Sequence, residues 1–231
     1  MKRFYTDVGV VESAGGFAIE LDGRPVRTPA RALLALPTPA LAQAVAAEWR
    51  AQGDTIDPAA MPFTGLANAA IDHVAPDPAA FAASIARYTQ SDLLCYRAEG
   101  PDALVQRQAD AWNPLLEWAQ ARYDVTFLLT SGVIPVAQPT ESITRLEAAV
   151  AALDPFTLAA LSTLVTLSGS LVCGLAIVEG GRDPAAVWQA AEVDEAWQSE
   201  QWGEDAEAAA RNGRRAAEFS MAGAFCAMSR M

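Results

Sequence analysis

Pro155-Phe-Thr-Leu-Ala-Ala-Leu-Ser-Thr-Leu-Val-Thr-Leu-Ser-Gly-Ser-Leu-Val-Cys-Gly-Leu-Ala-Ile-Val178 runs for 24 residues without a charge, between Asp154 and Glu179. That is long enough to cross a bilayer core. Two features set it apart from a transmembrane helix. It carries Thr157, Ser162, Thr163, Thr166, Ser168 and Ser170, and neither flank holds the Lys/Arg cluster that orients an inserted helix. A helix apolar on all sides is also what the centre of a helical bundle requires. The stretch therefore reads as the buried helix of a helical domain, with Ser168-Gly169-Ser170 as a small step that lets a neighbour approach closely.

Outward from this helix, the chain divides into two kinds of sequence. Residues 1–60 read as a small β-rich domain with one helix, and residues 61–231 as a larger, mainly helical domain, giving an α+β fold. In the first part, Val8, Val10, Val11 and Phe17-Ala-Ile-Glu-Leu21 are short β-type runs separated by Gly15-Gly16. Asp22-Gly23 is a turn pair, Arg24 to Pro29 is extended by its prolines, and Leu33 to Leu36 supplies another short strand. Thr38-Pro39 then starts a helix running toward Gly53. Leu41, Val45 and Trp49 recur on one of its faces, which predicts that this face packs on the sheet with Trp49 in the core.

In the second part, helices are expected over Thr64–Val74, Asp77–Tyr88, Pro101–Tyr123 and Thr140–Leu153, then from Asp183-Pro184 and from Gly203 onward. Pro114 is expected to kink or split the third of these. Leu93–Arg97 and Thr126–Ile134 are candidate extended segments.

Composition narrows the function. The 231 residues carry 16 Lys+Arg against 28 Asp+Glu, a net charge of −12, with a pI near 4.5. Nucleic acids and anionic membranes attract positive potential, so both are excluded as partners. Cys95, Cys173 and Cys226 lack metal or redox spacing and read as reduced core residues. His73 is the single histidine, which argues against a His-based triad and against a histidine metal site. No dinucleotide or phosphate-loop glycine motif is present. Leu167-Ser-Gly-Ser-Leu171 superficially suggests a nucleophile turn, but its glycine lies between the serines. No metal or cofactor is expected.

The segment Asp183–Glu207 is exceptional. It holds eight acids, Glu204 among them, without a Lys, Arg or His, together with Trp188, Trp197 and Trp202. On an unbroken helix Trp188, Glu195 and Trp202 share one stripe, with Gln198 at its edge and Asp194 and Trp197 on the adjoining face. One reading has the tryptophans packed inward and Glu195 satisfied by an internal arginine or backbone donor. The other makes the segment a docking surface for a basic or apolar partner, formed by Trp188, Asp194, Glu195, Trp197, Gln198, Trp202 and Asp205. An enzyme using Asp194 and Glu195 as a carboxylate pair is disfavoured, because adjacent helical residues point about 100° apart.

Several motifs are shared in order with a known family. They are Arg3-Phe-Tyr5, Leu21-Asp-Gly-Arg-Pro-Val-Arg-Thr-Pro29, Leu41 to Trp49, Asp92-Leu-Leu-Cys-Tyr-Arg97, Trp112-Asn-Pro-Leu-Leu-Glu-Trp118, Leu167 to Leu171, and Val193-Asp-Glu195 with Gln198 and Trp202-Gly203. With them, nearly the whole chain resembles the ATP synthase assembly chaperones that act on the alpha subunit of the catalytic head. One departure is Asn113, where the family pattern leads one to expect Asp, with an effect on a helix cap.

The resemblance implies a small N-terminal α/β domain joined to a helical C-terminal domain, and no catalytic activity. It implies an ATP-independent chaperone, monomeric when free. Such a protein holds the unassembled alpha subunit until the beta subunit replaces it, and Glu195 is the residue expected to carry client binding. Eukaryotic members are mitochondrial; the absence of a transit-type leader here leads to an expected bacterial cytoplasmic location.

Overall fold

The computed structural model describes residues 1–132, 135–203 and 205–230. Near the N-terminus, strand β1 (Val8–Ser13) and strand β2 (Gly16–Leu21) form an antiparallel hairpin with Val8 opposite Leu21 and Ser13 opposite Gly16. Gly16 has φ +118°, and a Cβ there would lie 2.2 Å from the Leu36 carbonyl oxygen, so only glycine fits. Strands β3 (Arg24–Pro25) and β4 (Ala35–Leu36) also pair with β2. The Asp22-Gly23 turn has positive φ at both residues, 49° and 73°, as a tight hairpin turn requires. Asp22 also accepts hydrogen bonds from the Thr6 and Asp7 amides, and these hold its carboxyl below the usual range.

Helix α1 (Pro39–Arg50) begins where Thr38 Oγ1 accepts from the Leu41 amide at 3.2 Å. It buries Leu41, Ala42, Val45 and Ala46 and packs against β1 and β2. Trp49 is half-buried rather than central. Its ring meets Tyr5 edge-on at 5.7 Å, beside Leu21, Ile56 and Met61, while the Tyr5 hydroxyl donates to its carbonyl. Helix α2 (Pro62–Ala69) continues into a π-helical turn, Ala70–Val74, and α3 spans Pro78–Ala86.

The helical part contains α4 (Asp102–Tyr123), α5 (Thr140–Ala151), α6 (Pro155–Ser168), α7 (Leu171–Val178), α8 (Pro184–Ala191), α9 (Val193–Trp202) and α10 (Ala206–Ser229). Two-residue strands β5 (Tyr96–Arg97) and β6 (Thr130–Ser131) pair in parallel. Within Leu93–Arg97 only β5 is strand, since Leu93–Cys95 form a 3₁₀ turn. The expected extended segment from Thr126 reaches β6, and its end at Ile134 lies outside the described residues.

By compactness the chain forms two units. The first comprises Met1–Pro78, Asp154–Ala160 and Ala224–Met231, and the second Ala79–Leu153 and Leu161–Gly223. The sequence boundary at residue 60 falls inside the first unit.

Three expectations about helices are corrected. The uncharged stretch is two helices, not one. Gly169 adopts φ +70°, and Ser170 caps α7 by accepting from the Cys173 amide at 3.0 Å. All eight residues of α7 are buried, and the close approach to α6 occurs at Gly174, whose added Cβ would lie 2.7 Å from Leu161 and Val165 atoms. Among the described residues, no helix is long and apolar enough to cross a membrane. Second, of the two effects expected of Pro114 the split does not occur, and α4 is one helix through it, with Trp112, Leu115 and Leu116 buried on either side. Third, the acidic segment is divided at Glu192 between α8 and α9.

Candidate functional site

Two of the shared motifs meet in space. Asp92 is buried, and its carboxylate accepts from the Leu94 amide at 3.1 Å and from the Val172 amide at 3.0 Å. The Leu93 amide donates to the Gly169 carbonyl at 3.1 Å. Ser168-Gly169-Ser170 is thus the turn that presents the α7 N-terminus to Asp92, a place where a carboxylate satisfies orphan amides. Burial nonetheless raises the Asp92 carboxyl above its ordinary value, against the lowering effect of those hydrogen bonds. The thiols of Cys95 and Cys173 are pushed up to about 12 by burial and by Asp92, which leaves them unreactive.

The Trp112 motif is tied to the same region through Arg97. The Arg97 guanidinium lies 5.2 Å from the Trp112 ring and donates to Asn113 Oδ1 at 2.9 Å and to the Leu94 carbonyl at 3.0 Å. Asn113 sits inside α4, so the expected effect on a helix cap does not arise; its oxygen serves Arg97 instead. Trp112 Nε1 donates to the Ala190 carbonyl at 2.6 Å, which fixes α8 against α4.

The α8–α9 region contains a cleft of about 790 Å³ lined by Arg107, Trp188, Glu192, Val193 and Asn212, among others. Trp188 is buried, 5.4 Å from the Phe219 ring, with Nε1 donating to Asn212 Oδ1 at 3.3 Å. Asn212 Nδ2 donates in turn to Glu192, and Arg215 Nη1 lies 3.3 Å from Glu192 Oε1. The Arg215 guanidinium also covers the Trp188 ring at 5.1 Å and donates to the Leu167 carbonyl at 2.8 Å. Glu192 therefore has the internal arginine that sequence reasoning sought for Glu195. Burial, with the nearby Glu195 charge, raises the Glu192 carboxyl, against the opposing pull of Arg215 and Asn212.

The break at Glu192 disposes of the single stripe. Trp188 faces inward, whereas Trp202 is 81% exposed. Asp194 is half-buried and accepts from Gln108 Nε2 at 2.7 Å, while the Gln108 oxygen accepts from the Ala98 amide. Glu200 makes a two-point ion pair with Arg107 at 2.7 and 2.8 Å. Asp205 is exposed and accepts from the Glu207 amide at the start of α10. Glu204 lies outside the described residues.

What α9 offers to solvent is then a short list. Glu195 and Gln198 are exposed, Trp197 is half-buried, and Trp202 stands out at the helix end. Among the described residues Glu195 has no hydrogen-bond or ion-pair partner. Glu195 and Trp202 thus lie on the same helix, while Asp194, the other half of the carboxylate pair, is held by Gln108. Glu192, Asn212, Arg215 and Gln108 escaped the sequence reading. Arg215 and Asn212 stand far along α10, and only an unpaired buried acid at a helix junction hints at them.

The fold is that of an α+β chain, and comparison with known proteins places it. A family model described as ATP12 chaperone protein matches residues 2–120. The crystal structure of Atp12 from Paracoccus denitrificans is 46% identical with a TM-score of 0.95, covering 99% of this chain and 98% of that one. The Atu1473 protein of Agrobacterium tumefaciens is 42% identical with a TM-score of 0.93, covering 100% of this chain and 86% of that one. The mitochondrial protein atp12 of Schizosaccharomyces pombe is 24% identical over 214 residues, 87% of this chain and 74% of that protein. The chain belongs to the ATP12 chaperone family.

Proposed function

We propose that this protein is an ATP-independent assembly chaperone of the F-type ATP synthase, acting in the bacterial cytoplasm. It binds the unassembled alpha subunit and covers its subunit interface until the beta subunit replaces it. An isolated ring subunit exposes a large obligate interface, and such surfaces aggregate or pair wrongly when left bare. A monomeric chaperone serves here without catalysis, provided its contact is weaker than the final one, so that beta binding drives release. The docking face is α9 and its flanks. Glu195 and Trp202 make the principal contacts, Trp197, Gln198 and Asp205 surround them, and Asp194 and Trp188 hold the helix from within.

The observation that carries this reading is Glu195. In a protein with a net charge of −12 it is a carboxylate without an internal partner among the described residues, set on the same helix as an indole that is 81% exposed. Its natural counterpart is a cation in an apolar surface. The test is co-expression of the tagged protein with alpha and beta subunits, without added nucleotide. Alpha is expected to be retained alone and released by excess beta. Retention of many basic proteins in place of alpha would instead identify a general acidic binder.

A further inference from the structure

The chain from Val125 to β6 has one satisfied edge and one bare edge. The Thr126 amide donates to Ser142 Oγ at 2.9 Å, and that hydroxyl donates back to the Thr126 carbonyl at 2.8 Å. Two residues on, the Leu128 amide donates to Gln138 Oε1 and its carbonyl accepts from Gln138 Nε2, both at 2.9 Å. Thr130 pairs with Tyr96, and the Gly132 amide donates to the Arg97 carbonyl at 3.1 Å. With the period of two of an extended chain, these even-numbered residues turn their backbone groups to one side. Side chains of Ser142 and Gln138 thus act as the neighbouring strand that β5 becomes further along.

The odd-numbered side lacks this. Among the described residues, the backbone groups of Phe127 and Leu129 have no hydrogen-bond partner. The adjacent side chains Leu128 and Leu129 point to opposite faces and are 45% and 50% exposed, whereas Phe127, on the Leu129 face, is buried and anchors the segment. An extended, apolar, half-bonded edge is the template that β-strand addition uses.

We propose that the Phe127–Leu129 edge binds an extended segment of another polypeptide by β-strand addition. Backbone hydrogen bonds from its alternate residues would go to Phe127 and Leu129, and in an alternating segment the apolar side chains would share one face of the edge, with Leu128 or with Leu129, and leave the cationic ones on the other. The net charge of −12 selects a cationic segment and opposes pairing of two copies of this chain through the edge. This inference is independent of the α9 reading, because it rests on a different element and is tested with a different ligand.

The probe is a fluorescent, end-capped decapeptide of alternating valine and lysine, with a control in which alternate residues are proline and so cannot donate. The alternating peptide is expected to bind, and hydrogen exchange at the Phe127 and Leu129 amides is expected to slow when it does. The control should not bind. Leu129→Pro removes one free donor and leaves the Ser142 and Gln138 contacts alone, so it should weaken binding roughly tenfold. Exchange at Phe127 and Leu129 in the unsubstituted protein gives the answer even if that variant folds poorly. Absence of binding, equal binding of the proline control, or binding without added protection at those two amides would overturn the proposal. So would a dimer of the free protein in which the same amides are already protected.

Discussion

Arg215 Nη1 lies 3.3 Å from Glu192 Oε1, so the arginine that reaches the α8–α9 junction is engaged by Glu192 and not by Glu195. The two acids stand on the same short segment and have opposite fates. Glu192 is drawn into a network with Asn212, Trp188 and the Leu167 carbonyl, whereas Glu195 faces solvent. A carboxylate that stabilises the fold and another that is left for a partner can therefore be separated by experiment.

The fold-side acid has a definite pH signature. Burial holds the folded Glu192 carboxyl above its ordinary value of 4.5. Between that value and the raised one, the unfolded chain loses its proton first, so this group's contribution to stability falls as pH rises through the window. Glu192→Gln does not titrate and escapes that loss. The melting temperature of Glu192→Gln minus that of the unsubstituted protein should therefore increase from pH 4 upward and then level off. The subtraction cancels Asp92, which titrates in the same direction in both proteins. A difference that stays flat or declines with pH would contradict the assignment.

Asp92 should matter more through its hydrogen bonds than through its charge. Asp92→Ala leaves the buried Leu94 and Val172 amides without their acceptor, at a cost of about 2–4 kcal/mol in unfolding free energy. The two amides bond to different carboxylate oxygens, so Asp92→Asn keeps an acceptor for only one of them and turns an NH2 donor toward the other, and its loss should lie between zero and that of Asp92→Ala. Denaturant unfolding of the three proteins checks the order. Equal losses for Ala and Asn would contradict this, by showing that the one acceptor Asn retains contributes nothing.

The cysteines give a prediction about reactivity. Burial pushes the thiols of Cys95 and Cys173 to about 12 and that of Cys226 to about 11. At pH 8 the thiolate fraction is negligible at all three. Iodoacetamide should leave the native protein unlabelled over an hour and label all three cysteines once urea unfolds it. Rapid native labelling of any one, read by mass spectrometry, would place that thiol in a more open setting.

Much of the fold is legible in the sequence because its signals are local. Thr38-Pro39 starts α1, Asp22-Gly23 makes the tight turn, Asp183-Pro184 starts α8, and the run of small and apolar residues from Leu171 to Val178 is buried throughout. The misread elements depended on distant partners. The helix break at Gly169 follows from Asp92, which reaches the α7 N-terminus from the other side of α4 in the sequence. The continuity of α4 through Pro114 follows from packing, which outweighs the lost backbone donor. In the acidic segment the composition marked the right region, but a single-helix projection could not foresee the turn at Glu192. That turn sends Trp188 inward and leaves Trp202 in solvent. Trp49 likewise sits at the edge of its cluster, packed against Tyr5 from the N-terminal segment, a partner 44 residues away in sequence.

The most direct test of the central claim measures melting and alpha-subunit binding on one preparation of Glu195→Gln. The substitution keeps the shape and hydrogen-bonding reach of an exposed side chain and removes only its charge. Loss of one partner from a charge pair at an interface costs about 2–5 kcal/mol, roughly a thirtyfold or greater loss of affinity. The account predicts that loss with a melting temperature unchanged within a degree or so, as for most exposed substitutions. A lowered melting temperature with alpha-subunit affinity intact would contradict it, and would return Glu195 to the interior network that Glu192 is seen to hold.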